Sequence, residues 1–205
     1  MKIPDNIYFY GTCLVDLLYP QTGLSAMALI KSAGVNVIYP KQQSCCGQPA
    51  FNSGYRKDAL KVARSQLCCF PKQIPIVIPS GSCAGMIKHH WPELFKGEAD
   101  EKQALQISSQ IYELSEFLVD ILNIQLVDLG EPVKVAIHTS CSALREMGVA
   151  DKIDSLLTQL DNVEVIEQKN KQECCGFGGT FAIKQADISG AMVTDKTRAI
   201  IDTGA

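Results

Sequence analysis

The sequence predicts an α/β protein: two pseudo-twofold-related, Rossmann-like subdomains, each a small parallel sheet flanked by helices. Three observations carry this prediction. A pattern of strand, single cysteine, second strand and Cys-Cys-Gly occurs twice along the 205 residues. Short β-branched or aromatic runs alternate with longer stretches of helix formers, which implies parallel strands joined by right-handed crossovers. With 46% hydrophobic and 20% charged residues, the chain has the apolar material to fill such cores.

The first copy opens with Ile7-Tyr8-Phe9-Tyr10, a run that predicts a strand over 7–10 and delivers Gly11-Thr12-Cys13 at its end. Helix formers over 24–33 follow, then a strand over 35–39 that leads into Cys45-Cys46-Gly47. A helix over 55–67 precedes a strand over 74–78, which runs out through Ser80-Gly81-Ser82 to Cys83. Residues 104–122 place Leu105, Ile111, Leu114, Leu118, Ile121 and Leu122 at helical spacing, so one amphipathic helix is expected there. The second copy has a strand over 133–137 ending towards Cys141, a helix over 142–160 and a strand over 163–166. It closes with Cys174-Cys175-Gly176 and a helix over 186–201. The single cysteine and the pair are separated by 31 residues in the first copy and 32 in the second. These boundaries give a first cysteine-rich subdomain over 1–100, a connecting helix within 101–130, and a second cysteine-rich subdomain over 131–205.

Composition removes several function classes. A net charge of −3, without basic residues interleaved with aromatics, argues against nucleic acid as a partner. Pro4 and Asp5 fall where a signal peptide needs its apolar stretch, and no apolar run approaches the length of a transmembrane segment. The cytoplasm is therefore the expected location. Gly-x-Ser-x-Gly, His-Glu-x-x-His and P-loop motifs are missing, which leaves hydrolytic and nucleotide-driven chemistry without residues.

Nine cysteines in a reducing compartment point away from disulfides and towards metal or redox chemistry. Cys13, Cys45, Cys46 and Cys83 each follow a predicted strand. So do Cys141, Cys174 and Cys175. In open parallel sheets the carboxyl ends of the strands share one rim where ligands bind, so each set is expected to converge. Adjacent thiolates close poorly around one small tetrahedral ion, whose ligands are spaced as in Cys-x-x-Cys. A multi-iron cluster offers several metal atoms to neighbouring sulfurs. Gly47 and Gly176 let the backbone turn sharply and approach such a cofactor closely. Cys68-Cys69, at a predicted helix end with no following Gly, reads as core packing. His138 reads as a structural histidine.

The order Cys13, Cys45-Cys46-Gly47, Ser82-Cys83-Ala84-Gly85-Met86, Cys141, Cys174-Cys175-Gly176 resembles the duplicated CCG, or cysteine-rich, domain. That domain occurs in heterodisulfide reductase and in the iron–sulfur subunits of glycolate oxidase and anaerobic glycerol-3-phosphate dehydrogenase. A chain of two such domains without a ferredoxin-like Cys-x-x-Cys-x-x-Cys segment looks most like the lactate-oxidation branch of the family. The resemblance implies an iron–sulfur subunit of an L-lactate oxidation system. It would transfer electrons during conversion of lactate to pyruvate, beside other subunits that include a ferredoxin-type iron–sulfur protein. It also implies one or two [4Fe–4S]-type clusters at Cys13, Cys45, Cys46 and Cys83 and at Cys141, Cys174 and Cys175, of the noncubane kind in heterodisulfide reductase. There each cluster is held by the single Cys, the pair and a final Cys-x-x-Cys. In this chain Met86 stands where the fifth thiolate belongs, so a conventional [4Fe–4S] cluster is an equal alternative. Only 30 residues follow Cys175, whereas 36 separate Cys46 from Cys83, so the repeat's own logic expects a second subdomain cut short. Three other readings stay open: heterodisulfide-reductase-like thiol/disulfide chemistry, a zinc-binding structural or interaction module, and a metal-free thiol sensor.

Overall fold

Every strand among the described residues pairs in parallel, as the alternation of strand and helix predicts. The computed structural model describes residues 2–205, which divide into a first unit ending at Ile124 and a second beginning at Gln125.

The first unit holds β1 (Asn6–Phe9), α1 (Cys13–Leu18), α2 (Pro20–Ser32), β2 (Asn36–Ile38), α3 (Gln48–Asn52), α4 (Arg56–Gln66) and β3 (Ile76–Ile78). A helix over 81–94 follows, made of α5 (Gly81–Gly85), a π-helical turn (Met86–His90) and α6 (Trp91–Leu94). Then come α7 (Glu101–Ser109), β4 (Ile111–Glu113), α8 (Leu114–Glu116) and a second π-helical turn (Phe117–Ile121). The sheet order is β2-β1-β3-β4. Ile7 faces Val37 across β1 and β2, Phe9 faces Val77 across β1 and β3, and Ile78 faces Glu113 across β3 and β4. β3 is wholly apolar and wholly buried, as a central parallel strand covered on both faces must be. Ile7, Phe9, Tyr10, Ile30, Phe70, Trp91, Phe95 and Phe117 form the large buried core of this unit. Tyr8 and Tyr10 both meet the Phe70 ring edge-on, at 5.5 and 5.8 Å between centroids. By contrast α1 buries none of its side chains, and Leu14, Leu17 and Leu18 are exposed.

The second unit holds β5 (Val133–Val135), a π-helical turn (Ser142–Glu146), α9 (Ala150–Leu157), β6 (Val163–Val165), α10 (Phe181–Lys184) and α11 (Ala186–Ile201). Among the described residues its sheet has two strands, with Val135 facing Val165. This is the offset of Ile7 to Val37, so the one extra residue of the second copy lies outside the paired strands.

Two predicted helices are broken. The stretch over 104–122 ends its first helix at Ser109, forms β4 and starts again at Leu114. Ser108-Ser109-Gln110 is a weak helical run and Ile111-Tyr112 favours a strand. Glu113 and Glu116 then make a capping box that opens the new helix. The helix predicted over 142–160 is interrupted at Gly148, whose φ of +63° is left-handed. No helix among the described residues is long and apolar enough to cross a membrane.

Candidate functional site

The order β2-β1-β3 makes a topological switch point between β1 and β3, where the crevice at the carboxyl ends of the strands opens. Cys13 is the first residue of α1, just past β1; Cys83 lies in α5, just past β3; Cys45 and Cys46 lie in the loop after β2. The structure brings these four together. Cys46 Sγ lies 3.5 Å from Cys83 Sγ, and both are buried. Cys13 and Cys45 are half-buried and hydrogen-bonded to one another. Cys13 is introduced by Thr12, a buried β-branched residue at φ +59°, a region that residues with a side chain rarely occupy. Its Oγ1 accepts from Val15 N–H at 3.4 Å and starts α1.

Each Cys-Cys-Gly loop is pinned by its glycine. Gly47 has φ +89°, and a Cβ there would stand 3.0 Å from the Ala59 carbonyl of α4. Gly176 has φ +80°, and a Cβ would stand 2.7 Å from the Ser189 carbonyl of α11. The missing side chains let the loops seat directly on helix backbone. Gly47 N–H then points at Cys45 Sγ at 3.5 Å, and Gly176 N–H at Cys174 Sγ at 3.4 Å.

Several further side chains, none of them part of a cysteine motif, clamp the first loop. Tyr10 OH donates to Ser44 O at 2.9 Å and Trp91 Nε1 to Cys46 O at 3.1 Å. Gln43 Nε2 donates to Phe9 O while its Oε1 accepts from Gly11 N–H. Gln66 Oε1 accepts from Ser44 N–H at 2.7 Å, and its Nε2 donates to Ser44 Oγ. A signal for Gln66 does exist: it follows Ala59 and Ala63 along one helical stripe, a polar residue in an apolar row. In the second unit Gln168 Nε2 donates to Ile137 O at 2.6 Å, just as Gln43 does to Phe9.

The thiols of the first site are unequal. Hydrogen bonding from Cys46 above all, then from Gly47 N–H and Cys13, brings Cys45 down to about 6 against the effect of its burial. Cys83 is also lowered, first by Cys46 and then by the Ser80 and Ser82 hydroxyls. Cys46 is pushed well up by its bonds to Cys45 and Cys83 and by burial, and Cys13 is raised to about 11 by burial and the Cys45 charge. Two members of the set are thus shifted towards the thiolate form, and the set contains no carboxylate or imidazole. Such soft, all-sulfur donors suit thiolate-bound metal groups. Among the described residues no three His, Cys, Asp or Glu side chains are arranged to hold a single metal ion.

In the second unit Cys141, Cys174 and Cys175 take the corresponding places, with Cys174 exposed and the other two half-buried. Burial, then the Cys174 charge, raises Cys141. His138 is held below its ordinary value by burial and by Lys196. The other cysteine pair departs from the core reading in one half: Cys69 is buried, whereas Cys68 is exposed and its thiol donates to Ser65 O at 3.4 Å.

Parallel α/β units with cysteines at the strand ends define a duplicated cysteine-rich-domain protein. A family model of the cysteine-rich domain, CCG, matches residues 7–88 and 135–205. Lactate utilization protein A of Halalkalibacterium halodurans is 41% identical over 201 residues, spanning 98% of this chain and 82% of that protein. Lactate utilization protein A 2 of Bacillus cereus strain AH820 is 40% identical, over 98% of this chain and 83% of its own length. The corresponding values for lactate utilization protein A of Macrococcus caseolyticus are 38%, 98% and 82%. The chain belongs to the cysteine-rich-domain family, within the group of the lactate utilization A proteins.

Proposed function

We propose that the chain is an iron–sulfur-binding subunit of a cytoplasmic lactate-oxidising system, passing electrons between partner proteins, a ferredoxin-type iron–sulfur protein among them. The observation that carries this reading is the convergence of four thiols from three strand ends at the switch point of the first sheet. Lactate rests on the names of the relatives, and the multi-protein setting on the family resemblance.

Cys13, Cys45, Cys46 and Cys83 would hold one [4Fe–4S]-type group, and Cys141, Cys174 and Cys175 would hold a second. Such a group supplies storage of one electron at a time. The protein's own residues do the rest. Gly47 and Gly176 present N–H groups to the first sulfur of each pair, which favours the charged thiolate. Tyr10, Gln43, Gln66 and Trp91 hold the first loop so that its thiols stay aimed at one place. The fully buried Trp91 ring, bonded to Cys46 O, backs the pair on its inner side.

Anaerobic purification or reconstitution, followed by iron, sulfide and zinc determination and EPR, tests the reading. Iron and sulfide are expected together, and Cys45→Ser or Cys46→Ser should cost a large share of both. Stoichiometric zinc with no iron after anaerobic reconstitution would overturn it in favour of a zinc module.

A further inference from the structure

The two units present a similar scaffold to their Cys-Cys-Gly loops, and at one equivalent position a buried amide in the first is a buried cation in the second. Gly47 seats on Ala59 and Gly176 on Ser189, so α4 and α11 occupy equivalent places. Two turns beyond each seat, a buried polar side chain reaches back to the loop ahead of the cysteine pair. In the first unit this is Gln66, 1% exposed, bonded to Ser44. In the second it is Lys196, 6% exposed, whose Nζ donates to Asn170 O at 2.8 Å and to Lys171 O at 3.3 Å. The clamp is the same; a neutral amide has been exchanged for a cation.

The groups around Lys196 do not cancel that charge with comparable force. Both of its bonds go to carbonyls. It shares a cleft of about 210 Å³ with Glu173, Cys174, Met192 and Asp195. Glu173 is exposed, and Asp195 is exposed and lies 3.8 Å from Arg198, so water and salt screen both. Arg145, exposed and close after Cys141, adds a positive charge that pulls against the rise of that thiol, but water and salt screen it. In the first unit the half-buried Lys88 is matched by Glu116 at 3.2 Å. The Lys196 charge also acts at His138, whose pKa is lowered first by burial and then by Lys196.

We propose that Lys196 is a potential-setting residue that makes the centre of the second unit the stronger electron acceptor of the two. The inference rests on the iron–sulfur reading. An electron added to a thiolate-bound centre adds negative charge, which a buried cation beside the loop favours and a neutral amide does not. Lys196 acts through the field and the loop; its bonds are to backbone carbonyls ahead of the cysteine pair.

The test uses the whole chain, reconstituted anaerobically, as Lys196→Gln, Lys196→Arg and Gln66→Lys, with EPR-monitored redox titration of each centre. In parallel, the metal-free proteins are followed by proton NMR of His138 against pH. Lys196→Gln copies the clamp of the first unit, so the fold should hold. It should lower the reduced-to-oxidised ratio of the second centre about tenfold at a fixed poise, about 59 mV for one electron. The first centre should stay in place. Lys196→Arg should keep the wild-type potential, and Gln66→Lys should raise the first centre by a similar factor. In the metal-free Lys196→Gln protein His138 should titrate at higher pH, which reads the charge independently of iron. His138 moving while both potentials stay still overturns the inference alone. A second unit that takes up no iron overturns it together with that part of the iron–sulfur reading.

Discussion

Gly47 and Gly176 are legible in the sequence as companions of the cysteine pairs, where they suggest a close approach to a cofactor. The approach seen in the structure is to helix backbone, at Ala59 and at Ser189. No sequence pattern announces it, because the contact joins residues on separate elements. Alanine should therefore act on the fold before it acts on any bound group. Gly47→Ala should cost about 1–2 kcal/mol, the penalty of the left-handed backbone. Gly176→Ala should cost about 1–3 kcal/mol more, because its Cβ would also stand 2.9 Å from Met192 Cβ and both neighbours would have to move. Urea unfolding of the metal-free proteins measures both, and costs within about 0.5 kcal/mol of zero, as for a surface change, would refute the seating argument. The cysteines themselves are readable from spacing. The inequality of their thiols is not, since it arises from Cys46 standing between Cys45 and Cys83.

At the scale of elements, five of the six strands among the described residues are readable from their apolar runs, and β4 is not. Its residues satisfy a helical period, and Leu105, counted in that stripe, is 43% exposed. What decides the stretch is the capping box: Glu113 accepts from Ser115 N–H at 2.7 Å and from the Ser115 hydroxyl, and Glu116 accepts from Glu113 N–H at 3.1 Å. Glu113 is also buried, which raises its pKa above the ordinary 4.5. The folded state therefore holds this proton more tightly than the unfolded chain does. Stability from this group is fully present below about 4.5 and is lost as pH rises through the raised value. Glu113→Gln keeps an oxygen to accept from Ser115 and removes the titration. Relative to wild type, the variant should gain in urea midpoint on going from about pH 4 to about pH 7. Asp100, lowered by Arg64, titrates alike in both proteins and cancels in the difference. A difference between variant and wild type that does not change with pH would reject the role given to Glu113 burial.

Across the whole molecule, the duplication that is plain in the sequence conceals an inequality of cores. Both copies carry similar apolar runs, and β5 and β6 keep the register of β1 and β2. Yet among the described residues only Ala143 and Val149 of the buried apolar side chains belong to the second unit. Its strands leave Val133 and Val165 exposed, where Ile7, Tyr8 and Phe9 of β1 are buried. What orders the second unit is instead polar: Gln168 on Ile137, Ser189 on Gly176 and Lys196 on Asn170. Such clamps stabilise by about 0.5–1.5 kcal/mol each, whereas burying one large apolar side chain contributes about 1.5–3 kcal/mol. Hydrogen exchange of the metal-free protein should therefore find the amides of β5 and β6 exchanging well ahead of those of β1 and β3, as a separate and weaker cooperative unit. A group bound by Cys141, Cys174 and Cys175 would add its binding free energy to that unit alone. In a chain whose first site is disabled by Cys45→Ser and Cys46→Ser, reconstitution with iron and sulfide should thus slow exchange in β5, β6 and the loop at Cys174 by a larger factor than in β1 and β3. Equal protection of the two sheets in the metal-free protein would show that the polar clamps do the work of a core, and would refute the ranking argued from burial.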